Sequence, residues 1–308
     1  MSPVITIRIG KLRNQFYGHF LLESDYYFSK NINNNPFRSI DLFYFDGKSS
    51  NIFYQDLLRK QINIFPKFVL QLVYLLNFYL FKNKKFVIAI PDRLTDLTEL
   101  DEFNPSKFIN PVSSVIEQHF KYNPKKSSVI FCLRDSVKSY DSFSLRNVDV
   151  NTYNKSIDLL TSVNFDVYTL TDTYIEHRSE KIIERIYRNS SDKAIASIEF
   201  FLASVCDFAV ATDSGSFHLP YLFRKPIILT NICGPIGDIE SRFIHHKTYK
   251  KWVNLDSKLN FDFSELKQRI LFDNDHAFKE NNIGLIDNTA HELKDAIELF
   301  LKNQHLEI

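Results

Sequence analysis

The sequence predicts an α/β protein made of two Rossmann-like halves with a cleft between them, and three observations carry that reading. The first is the stretch from Phe200 to Thr230, FFLASVCDFAVATDSGSFHLPYLFRKPIILT. An apolar helix (Ile195 to Ser204) leads into a buried strand, Phe208 to Ala211, and a polar loop, Thr212 to Ser216. An amphipathic segment, Phe217 to Phe223, and an apolar strand, Ile227 to Leu229, follow. A strand, loop, helix, strand unit of this kind builds a parallel sheet. The second observation is that the same order opens the chain. The third is that polar residues gather where the predicted strands end, which is where open α/β sheets hold ligands.

In chain order, the β-branched run from Val4 to Ile9 predicts a first strand, Gly10 to Tyr17 a polar loop, and Gly18 to about Lys30 an amphipathic helix. His19 and Glu23, four residues apart, share a face of that helix and stand near the sheet edge. An ordinary surface pairing between the two is the competing reading. Asn33 to Pro36 is a turn, and Ile40 to Phe45 a second strand closed by Asp46-Gly47. Residues 52 to 81 read as one helix whose apolar end, FVLQLVYLLNFYLF, is too short to span a bilayer. A core helix is expected there. The second reading is contact with the inner-membrane surface, because the basic run Lys82-Asn83-Lys84-Lys85 follows an aromatic, apolar face. Phe86 to Ile90 is a third strand, and the acidic stretch from Pro91 to Pro111 a long loop, with a domain boundary near Tyr122 to Lys126.

The second half opens with a buried strand, Ser128 to Leu133, ending in Arg134-Asp135-Ser136. An Arg at a strand's carboxyl end points into the ligand crevice, and its fork of donors matches a diphosphate. A plain ion pair with Asp135 is the alternative. Residues Arg146 to Asp149 cap a helix running from Asn151 to about Ser162. Phe165 to Leu170 is a strand ending in Thr171, Asp172 and Thr173, and Asn231 begins another loop at the same edge. An irregular stretch holding His245, His246 and Trp252 leads to a last strand, Ile283 to Ile286, and a helix, Ala290 to Lys302, capped by Asp287-Asn288-Thr289. The halves are therefore expected at 1–122 and 123–288, with 289–308 a terminal helix packing back towards the first half.

The loop after Phe208 to Ala211 has the chemistry of a phosphate site. Thr212, Ser214 and Ser216 offer hydroxyls, Gly215 admits close backbone approach, and the following helix presents its positive end. His218, one turn on, is in reach of the same ligand. Asp213 or Ser214 acting only as a helix cap is the bland alternative. Composition bounds the rest. The 308 residues suffice for two ordinary domains, 44% hydrophobic content excludes a disordered chain, and a net charge of +1 argues against nucleic acid. Cys132, Cys206 and Cys233 are widely spaced, as expected of buried free thiols in a reducing cytoplasm, with no metal-ligand spacing. The opening MSPVITIRIG has no signal-peptide pattern, which also predicts a cytoplasmic protein. Asp273-Asn274-Asp275 has the spacing of a metal-binding pair but sits in a polar linker.

Arg134, Thr171 to Thr173, Asp213 to Ser216 and Asn231 all open on one crevice between two α/β halves, which suggests a nucleotide-sugar glycosyltransferase of GT-B type. The chain resembles bacterial GT-B glycosyltransferases of surface-polysaccharide gene clusters in four blocks. These are Arg8 to Glu23 (RIG, then GHFLLE), Phe131 to Tyr153 (FCLRDS, then LRNVDVNTY), Phe200 to Asn231 (TDSG, LPYLF, KPIILTN) and Ile283 to Ala296 (IGLIDNTAHELKDA). Asp213, Ser214, Gly215 and His218 are similar to the donor-diphosphate loop of heptosyltransferases, and Arg134-Asp135 to the Arg-rich motif of GDP-fucose-dependent fucosyltransferases. The chain departs from both: it has one Arg where the fucosyltransferases have two, and no acidic residue in the loop from Gly10 to Tyr17.

The resemblance implies inverting transfer from a nucleotide-diphosphate sugar to a cell-surface glycan or lipid-linked acceptor, at the cytoplasmic face of the inner membrane. His19 is the first candidate for the base and Glu23 the second. Arg134, Thr212 to Ser216 and His218 would hold the donor diphosphate, and Thr171, Asp172, Thr173 and Asn231 the nucleoside. No metal or other cofactor is expected. A non-catalytic nucleotide-sugar binder or scaffold subunit, and a UDP-sugar epimerase of the same fold, are the competing classes.

Overall fold

The computed structural model describes residues 6–31, 39–80, 86–88, 90–91, 96–103, 125–134, 145–170, 192–234, 238–261, 280 and 282–304. Two parallel sheets organise them. In the first, β1 (Thr6–Leu12) lies between β2 (Ser39–Phe45) and the short β4 (Val87–Ile88), and β3 (Asn63–Ile64) extends β2 outward. The second has β5 (Ser128–Cys132) beside β6 (Asp166–Thr169) and β7 (Phe208–Thr212), then β8 (Ile227–Ile232) and β9 (Ile244–Tyr249). Strands β5, β7 and β8 are buried throughout, as expected of parallel strands covered on both faces.

Helix α1 (Tyr17–Asn31) follows β1 directly, as the spacing predicts. The predicted helix over 52–81 is divided. Helix α2 (Ile52–Gln61) is capped by Asn51, whose side chain accepts from Tyr54 N at 2.7 Å. The chain then turns extended at Ile62 to form β3, and Pro66, which lacks an N–H and disfavours a helical residue before it, starts a separate helix, α3 (Lys67–Leu75). A π-helical turn, Leu76–Leu80, continues it. Helix α3 is not a core helix. Only its Leu70 side is buried, against Ile9 and Tyr44, while Phe68 is 83% exposed.

Helix α4 (Thr98–Asp101) interrupts the expected acidic loop. Helix α5 (Asn154–Ser162) is preceded by a 3-10 turn, Val150–Tyr153, capped by Asp149. Helix α6 (Asp192–Val205) leads into β7. The stretch predicted to be irregular pairs instead: His245 and His246 lie in β9, and Trp252 lies in β10 (Lys251–Asn254), which makes an antiparallel ribbon with β11 (Ile283–Ile286). Helix α8 (Ala290–Asn303) starts with a Thr289–Glu292 capping box. Its buried Leu293, Ile297, Phe300 and Leu301 join Val129, Phe208 and Ile228 of the second sheet. Among the described residues, the terminal helix packs on the second sheet.

One apolar cluster crosses from sheet to sheet. Leu12, Phe20 and Tyr54 on one side meet Ile130, Phe200 and Leu219 on the other, with Tyr54 stacked on Phe200 at 5.0 Å. An ion pair closes the same seam: Arg224 donates through Nη1 and Nη2 to both Asp25 carboxylate oxygens at 2.9 Å, with both side chains almost fully buried. Arg224 also donates to the carbonyls of Leu100 and Phe103. The boundary expected between 122 and 123 falls outside the described residues.

Candidate active site

The site is built where the carboxyl ends of the two sheets meet. On the first sheet, the loop after β1 is fixed from within. The buried Asn14 side chain both accepts from Gly47 N and donates to Gly47 O, each at 2.9 Å, tying this loop to the one after β2. Glu23, the second candidate base, is committed to the same task. Its carboxylate accepts from Arg13 N at 2.8 Å and from Arg13 Nε, and it is 3% exposed. Burial raises its pKa and the Arg13 bonds oppose that. A carboxylate enclosed and ion-paired in this way holds the loop in place.

His19 lies in the first turn of α1, partly exposed, edge-on to the ring of Phe16 at 5.9 Å. Its neighbour Gly18 lies directly against Gly215 on the other side of the site. A Cβ on Gly18 would fall 2.5 Å from Gly215 Cα, and one on Gly215 would fall 2.7 Å from Gly18 N. Both glycines are therefore required for backbone to lie against backbone. Only residues without side chains let the start of α1 touch the Thr212–Ser216 loop.

That loop is internally bonded. Thr212 is fully buried at the end of β7, and its Oγ1 accepts from Arg134 N at 3.0 Å. The Ser214 and Ser216 hydroxyls bond each other at 2.6 Å. Asp213 accepts from Arg146 Nη2 at 3.0 Å, and its carbonyl accepts from Arg146 Nε at 2.8 Å. The expected phosphate-binding helix is reduced to a 3-10 turn, Gly215–Phe217, and a five-residue helix, α7 (His218–Leu222). So short a helix has little dipole, and positive charge at this loop comes instead from the Arg146 guanidinium.

Arg146 reaches the loop with its guanidinium. Arg134, at the end of β5, bonds the loop through its backbone N–H, and its side chain is oriented by Asn147 Oδ1, which accepts from its Nε at 3.1 Å. Arg146, two residues from Val148, was legible only as part of a helix cap, yet it grips the Asp213 loop with its side chain 44% exposed. The segment carrying Arg146 and Asn147 is pinned from below by the buried Lys250, which donates to the carbonyls of Leu145 and Asn147 at 2.8 and 2.7 Å and pairs with Asp287 at 2.8 Å. The RNVD block held the signal for the second Arg. Nothing in the local sequence pointed to Lys250.

His218 is enclosed at the seam. Its pKa is pushed down to about 3, first by burial, then by the nearby charges of His19 and Arg146, against a bond with the Gly215 carbonyl at 3.3 Å. A neutral ring that donates from Nδ1 to that carbonyl carries an acceptor at Nε2, and this buried nitrogen has no hydrogen-bond partner. Because the folded protein resists protonating His218 while the unfolded chain takes a proton near 6.5, stability should fall as pH drops from about 6.5 towards 3. Asp25 acts oppositely over part of that range, since burial raises its pKa above the ordinary carboxylate value despite Arg224. Comparison with His218→Gln isolates the histidine. The wild type is expected to lose up to about 1.4 kcal/mol per pH unit relative to the variant between pH 6 and 5. Thermal melts followed by circular dichroism measure this, and parallel pH profiles for the two proteins would contradict it.

Asn231, expected to contact a nucleoside, has its side chain engaged within the protein. It is fully buried at a φ of +53°; its Nδ2 donates to Tyr153 Oη at 2.9 Å and its Oδ1 accepts from Asn288 N at 2.7 Å. It joins β8 to the start of α8. Thr171, Asp172 and Thr173 lie outside the described residues, as do Asp135 and the Asp273-Asn274-Asp275 run. Cys132, Cys206 and Cys233 are free, and burial pushes the Cys233 thiol up to about 12, so it stays protonated. Among the described residues no group of three His, Cys, Asp or Glu side chains could hold a metal ion, and no helix is long and apolar enough to cross a membrane.

The sequence matches no known family and no curated protein. Among solved structures, the chain is similar to a glycosyl transferase family 9 protein from Veillonella parvula, with a TM-score of 0.55 and 11% identity over 98% of this chain and 99% of that one. It is also similar to E. coli ADP-heptose LPS heptosyltransferase II, with a TM-score of 0.47 and 9% identity over 98% of this chain and 100% of the other. The mixed α/β fold with parallel sheets is thus that of the Veillonella glycosyl transferase.

Proposed function

We propose that this protein is a GT-B glycosyltransferase that moves a sugar from a nucleoside-diphosphate donor to a glycan or lipid-linked acceptor of the cell surface, with inversion and without a metal. The observation that carries the reading is the Thr212–Ser216 loop itself, bonded by the Arg146 guanidinium and by the Arg134 backbone N–H, at the point where Gly215 meets the start of α1. Two fixed guanidinium groups suit a leaving diphosphate, whose charge grows as the bond to the sugar breaks. The fold shared with a glycosyl transferase family 9 structure supports the same reading.

In this mechanism the acceptor oxygen attacks the anomeric carbon while the bond from that carbon to the diphosphate oxygen breaks. His19 takes the acceptor's proton, and the electron pair of the broken bond leaves with the diphosphate, facing Arg134 and Arg146. Asp213 holds Arg146 in place, and Gly215 lets the start of α1 close against the loop. His218, whose Nδ1 bonds the Gly215 carbonyl at 3.3 Å, supports that backbone from behind. The halves 1–122 and 123–288 take acceptor and donor respectively, with Thr171 to Thr173 left as the nucleoside contacts. The test is transfer itself: labelled UDP-, GDP-, ADP- and dTDP-sugars are offered with lipid-linked acceptors. Labelled product with stoichiometric nucleoside diphosphate is expected; donor binding without transfer to any acceptor would make the protein a binding subunit.

A further inference from the structure

We propose that the outward face of α3 and its π-turn is a docking surface for an anionic lipid bilayer. Phe68, Leu72, Leu75 and Tyr79 fall at i, i+4, i+7 and i+11 and form one stripe, flanked by Val69 and Val73. Phe68 is 83% exposed, Tyr79 64% and Leu72 63%. The opposite side is anchored, with Leu70 in the cluster of Ile9 and Tyr44, and Tyr74 edge-on to Tyr44 at 5.8 Å. A helix held by its inner side and apolar on its outer side is built to lie in an interface plane.

Charge selects the occupant. From Leu57 to Pro91 the sequence contains no Asp or Glu, but it holds Arg59, Lys60, Lys67, Lys82, Lys84 and Lys85. A stretch carrying six positive charges in a chain of net charge +1 leaves the remainder negative. An acid-free, basic sequence on either side of an apolar stripe matches anionic headgroups above an acyl layer. A second copy of the chain, docked by two-fold symmetry, would set this positive stretch against itself. Lipid is therefore favoured over self-association.

The position of the face adds a consequence that rests on the proposed function, although the surface itself does not. Helix α3 starts at the carboxyl edge of the first sheet, where Lys67 Nζ donates to the Asp46 carbonyl at 2.6 Å just beyond β2. The loop before α1 is at this same edge, bonded to Gly47. A bilayer under α3 thus brings a lipid-linked acceptor to the side of the molecule that carries His19.

The test is cosedimentation of the full chain with vesicles of phosphatidylcholine, with and without phosphatidylglycerol. Binding to the mixed vesicles is expected, roughly tenfold or more weaker to phosphatidylcholine alone and weakened by salt. The variant Phe68→Ser/Leu72→Ser/Tyr79→Ser is expected to lose binding while keeping its melting temperature, since these side chains are exposed. No binding to anionic vesicles, or binding unchanged by the triple substitution, would overturn the proposal. So would a dimer in sedimentation velocity that the same substitution abolishes, which would make the face a contact between copies. Because the readout is lipid binding, failure here is separable from failure of sugar transfer.

Discussion

With His19 replaced by alanine, turnover in the proposed reaction is expected to fall by about 10²–10⁴, the usual contribution of a positioned general base. Affinity for the nucleoside diphosphate should stay within about twofold, because the groups assigned to the diphosphate, Arg134 and Arg146, are held by Asn147, Asp213 and Lys250 rather than by His19. The choice of His19 over Glu23 rests on access. Glu23 accepts two bonds from Arg13 and is almost wholly enclosed, whereas His19 stands partly exposed beside the Gly18–Gly215 contact. Steady-state kinetics with calorimetric donor binding separate the roles: a His19→Ala enzyme with normal kcat would remove the residue from the mechanism. Loss of donor affinity with kcat preserved would make it a binding residue.

Replacing Arg224 by methionine is expected to cost about 3–5 kcal/mol, because it leaves the Asp25 carboxylate buried without its partner. It also removes the donors to the Leu100 and Phe103 carbonyls. Over a chain of 308 residues this corresponds to a fall in Tm of roughly 5–8 °C. Arg224 sits at a φ of +55°, in the left-handed region that side chains seldom adopt, so the ion pair also holds an unfavourable backbone turn. The double variant Asp25→Asn/Arg224→Met should be less damaged than the two single changes predict together, since neither charge remains. Additive losses in chemical denaturation would show that the pair is not coupled across the seam.

Much of the fold was legible because parallel strands write themselves as apolar runs. Phe208 to Thr212 and Ile227 to Ile232 are buried on both faces, and the polar residues closing them mark the carboxyl edge. Local chemistry misled where a single residue outweighed periodicity. Apolar character continues from Phe65 through Leu76, but Pro66 starts a new helix, and burial of its stripe depends on a neighbour that no sequence pattern supplies. Strands β9 and β10 were missed because His245, His246 and Lys247 break the apolar pattern of an edge strand. At the site, the Thr212–Ser216 loop and Arg134 could be read from strand ends. Arg146 was visible in the RNVD block as part of a helix cap, but its grip on Asp213 spans 67 residues and was not. Asn231 and Glu23 have the right chemistry for a site, but their bonds to Asn288, Tyr153 and Arg13 are tertiary facts.

The most direct measurement is calorimetric binding of UDP, GDP, ADP, dTDP and CMP to the wild type and to Arg134→Ala, with and without Mg²⁺. The account predicts that one nucleoside diphosphate binds without the metal and that Arg134→Ala weakens it by about 10-fold or more, as expected for loss of a charged hydrogen-bond donor. Equal affinity of wild type and Arg134→Ala, or binding that appears only with Mg²⁺, would contradict a diphosphate site built on Arg134 and the Thr212–Ser216 loop.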